Sequence, residues 1–194
     1  AAVVRDAVLA HVRAHGELIG IDVEQLGDVS AAQVTPDLWQ VSIPQRYRGV
    51  PVRFGRVAAT ISHGNLVGVG TEAWGNVTLP DVEPVVSPEQ AVEAGFAHVE
   101  GRSSEDEVVR EPSLEIVPLA PPEHQAGERF AGPVGRGYGH RLVWTFVFQR
   151  SPEQAHWEVM VDARSGQVMA LQDTNHYAQR QIRGGVYPVT NTGV

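Results

Sequence analysis

The chain has no cysteine among its 194 residues. Disulfides, thiol nucleophiles and cysteine metal sites are excluded together. It has no lysine either, and all 15 basic residues are arginine, for which a GC-rich genome is the plain explanation. No apolar run approaches the roughly 18–20 residues that a membrane helix requires. Basic residues are outnumbered by 23 acidic ones, and the formal net charge of −8 disfavours a nucleic-acid partner. Catalytic signatures are missing too. There is no HExxH zinc helix and no Gly-x-Ser-x-Gly elbow. Gly135-Arg136-Gly137-Tyr138-Gly139 is not a phosphate loop, because no strand feeds it and no helix with Lys-Ser/Thr follows it. No catalytic, cofactor-binding or metal-binding residue is assigned, and no cofactor is expected. The chain starts Ala1-Ala2 and carries no visible signal peptide, so it reads as a piece of a longer precursor.

What is present is strongly patterned. Leu142, Trp144, Phe146 and Phe148 alternate with Val143, Thr145, Val147 and Gln149, which predicts a strand with a heavy apolar face. Trp157, Val159 and Val161 predict a second strand, and Val168 to Leu171 a third. Between them Asp162-Ala163-Arg164-Ser165-Gly166 reads as a tight turn, with the aspartate accepting backbone N–H bonds and the glycine taking a positive φ. Val4, Val8 and Val12 have helical spacing over residues 3–15, with Gly16 as a stop. Trp39, Val41, Ile43, Gln45 and Tyr47 alternate along a strand in which Pro44 implies an edge or a bulge. Strands are also expected over 57–62 and 66–69, around the turn His63-Gly64-Asn65.

Ser87-Pro88-Glu89-Gln90 announces a helix, with serine as N-cap, proline at the first position and glutamine closing a capping box. Asp81 to Pro84 before it reads as a linker. Ser103 to Glu107 reads as a solvated acidic loop without the ligand alternation of a calcium site. Leu114 and Ile116 begin a short strand. Residues 120–140, rich in glycine and proline, read as an insertion in a hairpin. His11 and His15 stand four apart, as two helical zinc ligands do, but Val12 occupies the place of a zinc peptidase's catalytic glutamate. The preferred reading of this pair is a solvated flank beside the buried stripe.

Two stretches resemble known families. Trp157 to Val168 is similar to the end of a PepSY domain, where a strand ending in Asp-Ala runs into a Gly turn and a valine-rich strand. Gln45-Arg46-Tyr47-Arg48-Gly49-Val50-Pro51-Val52 resembles the FTP motif of thermolysin/fungalysin propeptides: a Gln, an aromatic, then Gly-Val-Pro-Val. Where that family often has two glycines next, this chain has Phe54-Gly55-Arg56. The resemblance covers about residues 1–175. It implies an α+β fold of two cystatin-like units, each an antiparallel sheet packed on one helix. The expected division is an FTP-like domain over 1–80, a PepSY-like domain over 81–175, and a linker or tail over 176–194.

The function so implied is that of a pro-region: an intramolecular chaperone and inhibitor of a secreted zinc metalloprotease. Its partner is the catalytic domain of the same precursor; no nucleic acid or membrane is involved. The expected location is secreted or periplasmic. In the tail, Ile182, Val186, Tyr187 and Val189 are the candidate protease-contacting residues, since an extended segment can lie along a protease edge strand. The alternatives are a stand-alone PepSY-type binding or regulatory module, and an enzyme using His11 and His15 with a metal.

Overall fold

The computed structural model describes residues 1–120, 138–150 and 155–175. Its first helix, α1 (Ala2–Ala14), buries Val8 and Val12 on one face, as the spacing predicts. Gly16 does not simply stop this helix. It opens a short second one, α2 (Gly16–Ile19), and a Cβ at Gly16 would lie 2.5 Å from the Val23 side chain. The chain therefore needs glycine there for close packing.

Four antiparallel strands follow: β1 (Ser30–Thr35), β2 (Leu38–Tyr47), β3 (Val50–Ser62) and β4 (Asn65–Glu72). The β3–β4 turn holds His63 and Gly64 at φ 49° and 78°, with Ser62 opposite Asn65. Two positive φ angles in a two-residue loop match the twist of the flanking strands. Val41, Ile43, Val57 and Ala59 face α1 and close a largely aliphatic core with Val8, Val12, Ile21 and Trp74. Strand β2 lies between β1 and β3, so Pro44 is not on an edge strand; the bulge between Pro44 and Arg46 accommodates it instead.

The helix α3 (Pro88–His98) has the full capping box. The Ser87 side chain accepts from the Gln90 N–H at 3.2 Å, and the Gln90 side chain accepts from the Ser87 N–H at 2.9 Å. It covers a second antiparallel set: β5 (Glu107–Leu119), β6 (Gly139–Arg150), β7 (Ala155–Asp162) and β8 (Val168–Asp173). Phe96 meets Phe146 and Phe148 at centroid distances of 6.4 and 4.7 Å. Gly95 lets the helix settle, since a Cβ there would stand 2.5 Å from Phe146.

Two readings of this half need correcting. Strand β5 begins at Glu107, well before Leu114; register shifts between Val108 and Ser113 let the strand pass Pro112. Asp106 is not solvated either. It is buried and accepts from the Arg150 guanidinium at 3.2 and 3.0 Å. Leu119 and Gly139 are register partners, so the glycine- and proline-rich stretch connects two hairpin strands, although residues 121–137 themselves lie outside the described ones.

The class is thus α+β with a mostly antiparallel sheet and few helices. The strand order is β1-β2-β3-β5-β6-β7-β8, with β4 paired to β3. One parallel bridge, Val52 opposite Ile116, joins the two sets. A third core of Val52, Val77, Ile116, Leu142 and Ala163 lies at this join, with Tyr47, Leu79 and Trp144 packed against it.

Candidate functional site

The join is where the polar side chains converge. Residues 73–87 cross from β4 to α3, and side chains of β2 hold that crossing in place. The fully buried Gln45 donates to the Gly75 carbonyl at 2.8 Å and to Gln25 Oε1 at 2.8 Å. Gln25 in turn accepts from the Val77 N–H and donates to the Val77 carbonyl, both at 3.0 Å. The Tyr47 hydroxyl donates to the Leu79 carbonyl at 2.7 Å, and Arg48 to the Pro80 carbonyl at 2.8 Å. The Gln45–Tyr47 motif therefore acts structurally, by satisfying carbonyls of a segment that has no strand partner of its own. Gly55 completes the fit, because a Cβ there would lie 2.4 Å from Gln45 Oε1.

The far end of the crossing is fixed by the second set of strands. The Val85 and Val86 N–H groups both donate to the Ala163 carbonyl, and Trp144 Nε1 donates to the Val86 carbonyl at 2.8 Å. Ala163 belongs to the turn anticipated after β7. There Asp162 Oδ1 accepts from the Arg164 and Ser165 N–H groups at 2.9 Å each, and Gly166 takes φ 73°. Burial works against the Asp162 charge, but these backbone bonds outweigh it and its pKa is lowered. His140 lies beside Gly75, and burial lowers its pKa, which keeps the ring neutral at pH 7.

A charge network spans the same join. Arg53 of β3 donates to both oxygens of Glu115 on β5 at 3.1 Å, and to Glu158 on β7 at 2.5 Å. Arg110 holds the other Glu158 oxygen. The bond from Arg53 is the main reason the Glu158 carboxyl is held below its usual range, with Arg110 adding to it. Burial opposes the Arg53 charge, yet the two carboxylates prevail and its pKa is raised. Glu115 stands opposite Val143 and Glu158 opposite Val147, so the guanidinium bridges both sides of the Thr145 row of β6. Sequence reasoning missed this network because its partners lie 62 and 105 residues apart.

None of these groups is arranged as a nucleophile beside a base. The His11 and His15 rings stack at 4.3 Å, and His15 Nδ1 donates to the His11 carbonyl at 2.8 Å. Among the described residues no group of three or more His, Cys, Asp or Glu side chains is placed to hold a metal ion. Ile182, Val186, Tyr187 and Val189 lie outside the described residues. No described helix is long and apolar enough to cross a membrane.

Residues 85–171, which hold α3 and most of β5–β8, match the PepSY family, the peptidase propeptide and YPEB domain. Such domains are propeptide or regulatory modules and are generally non-catalytic. No curated protein matches the chain. Among solved structures, the C-terminal domain of Bacillus megaterium YpeB is similar at 15% identity and a TM-score of 0.40, over 88% of this chain and 65% of that one. A Clostridium difficile protein with a provisional lipoprotein description is similar at 11% identity and a TM-score of 0.30, over 84% of this chain and 90% of that one. The chain thus spans just under two thirds of the YpeB structure's length.

Proposed function

We propose that this chain, which carries a PepSY domain over residues 85–171, is the pro-region of a secreted or periplasmic zinc metalloprotease and acts as its folding template and inhibitor. The PepSY domain carries the reading, since domains of this kind generally bind proteases. The Gln45–Val52 motif adds to it: the FTP resemblance falls on residues that fix the segment leading into that domain. In this reading residues 1–80 are the FTP-like domain, 81–175 the PepSY-like domain, and 176–194 the tail toward the protease. The two helix-covered strand sets are its cystatin-like units.

The mechanism is differential binding. A partner that binds the native or transition-state fold of the protease lowers the free energy of that state alone, which speeds folding or stabilises the product. The tail residues Ile182, Val186, Tyr187 and Val189 fill specificity pockets while the tail lies in the cleft. Truncation after Asn175 tests that role. It should leave the fold intact, because Asn175 still reaches His156, and should weaken inhibition of the mature protease at least tenfold. Unchanged potency removes the tail from the mechanism.

The PepSY description also covers YpeB-type chains, which supports a second reading as a regulatory module with no protease attached. The reading frame beyond Val194 separates the two. An HExxH segment with a more distant glutamate favours the pro-region, and an unrelated domain favours the module.

A further inference from the structure

Strand β3 changes partners in its middle. Val52 bridges to Ile116 of β5, but by Arg56 the strand runs between Pro44 of β2 and Glu72 of β4. Between the Arg46–Pro51 and Pro44–Arg56 pairs, four residues of β3 oppose the single residue Gln45. Phe54 stands at this corner with φ 63° and is 73% exposed. A left-handed backbone is disfavoured for a bulky side chain, and glycine would take it freely. The fold gains little in exchange: Phe54 belongs to none of the three cores, and its ring meets the Arg53 guanidinium at 5.6 Å. A strained residue whose side chain is sent into solvent calls for a role outside the fold.

Two neighbouring features define that role. Beside the ring is a cleft of about 360 Å³, lined by Ser42, Pro44, Val52, Gly55 and the Arg56–Glu72 ion pair. Residues 44–57 also hold four arginines and no acidic residue, in a chain whose net charge is −8. Arg53 and Arg56 are neutralised by Glu115, Glu158 and Glu72. Arg46 and Arg48 donate to the backbone carbonyls of Gly49 and Pro80, and Arg48 also acts on the Asp81 carboxylate, which is itself paired with Arg164.

We infer that Phe54 is the anchor of a docking surface for an acidic protein face that presents an apolar pocket, with Arg46 and Arg48 supplying the complementary charge. An exposed aromatic flanked by arginine is the composition of an interface hot spot. The cleft beside the ring requires a partner with relief of its own, which a bilayer surface lacks. The overall negative charge argues against nucleic acid. This rests on the reading that the chain binds a companion protease, and it assigns the contact residue for that binding.

The test titrates the mature metalloprotease of the same precursor with the 194-residue chain, Phe54→Gly, and the double variant Arg46→Gln/Arg48→Gln. Glycine suits the backbone at position 54, so Phe54→Gly should melt no lower than the parent chain while inhibiting roughly 30-fold more weakly or worse. The double variant should lose affinity mainly at low salt, where surface charge acts most strongly. Full potency in Phe54→Gly overturns the docking site and leaves the pro-region reading standing. A parent chain that does not inhibit overturns both. Binding of the parent chain, but not Phe54→Gly, to anionic phospholipid vesicles or a single-stranded oligonucleotide would overturn the choice of a protein partner.

Discussion

The two halves of this molecule use the same layout with different materials. Around α1 the core is almost wholly aliphatic, with Val8, Val12, Ile43 and Val57 fully or nearly fully buried. Its last strand, β4, is exposed along its whole length. Around α3 the core is built on Phe96, Phe146 and Phe148, and the buried Asp106 is held by Arg150. The second core is thus filled by large rings, and the first by branched aliphatic side chains with Trp74 as its one buried ring. The first half relies on the join: its motif side chains, Gln45 and Tyr47, are committed to the crossing segment and not to its own helix. The motif holds the segment that leads from the first strand set to α3.

Tryptophan placement makes the contrast measurable, because Trp39 and Trp74 report on the first half and Trp144 and Trp157 on the second. The largest effect should come from Phe146→Ala. It should cost about 3–5 kcal/mol in guanidinium unfolding, as truncation of a buried aromatic does. The shared third core should make all four tryptophans move in one transition. Two separated transitions, with Trp39 and Trp74 unaffected, would break the claim that the halves depend on each other.

Gln45→Leu should cost less, about 1–3 kcal/mol, since it leaves the Gly75 carbonyl without its donor and removes one of the two bonds to Gln25 Oε1. Its signature is positional: amide exchange should rise over residues 74–80 before it rises in α3. A uniform rise across both halves would contradict the assignment of Gln45 to the crossing.

The smallest effect is pH-dependent. Glu158 has a lowered folded-state pKa, chiefly through Arg53. Its contribution is therefore complete above the unfolded carboxylate pKa and is lost as pH falls through the folded value. Glu158→Gln should destabilise by about 1–2 kcal/mol at pH 7, with Arg110 half exposed and partly screened. The gap from the parent chain should start to narrow as pH falls below the unfolded carboxylate value of about 4.3 and vanish below the lowered folded one. A gap independent of pH would assign the loss to packing.

Local chemistry was legible in the residues. The capping box at Ser87 and Gln90, the alternation from Leu142 to Phe148 and the turn at Asp162 each depend on neighbours within a few positions. Strand β5 was readable only in part, because Glu107 and Pro112 resemble a loop and the bulge that absorbs them is set by β6. The Arg53 network was hidden by sequence distance. Phe54 was hidden in a different way: a phenylalanine gives no sign of a left-handed backbone, and only its place at the β3 corner imposes one. Pro44 showed the limit from the other side, since it correctly implied an irregularity but left edge and bulge undecided.

The central claim is that this chain works by fit to a companion protease and forms no bonds itself. Titrating the mature metalloprotease that the pro-region reading calls for with the purified 194-residue chain, and following peptide hydrolysis, tests it most directly. The account predicts hydrolysis falling to near zero at about one equivalent of chain. Hydrolysis unchanged at a large excess of the chain, or turnover of the peptide by the chain alone, would contradict it.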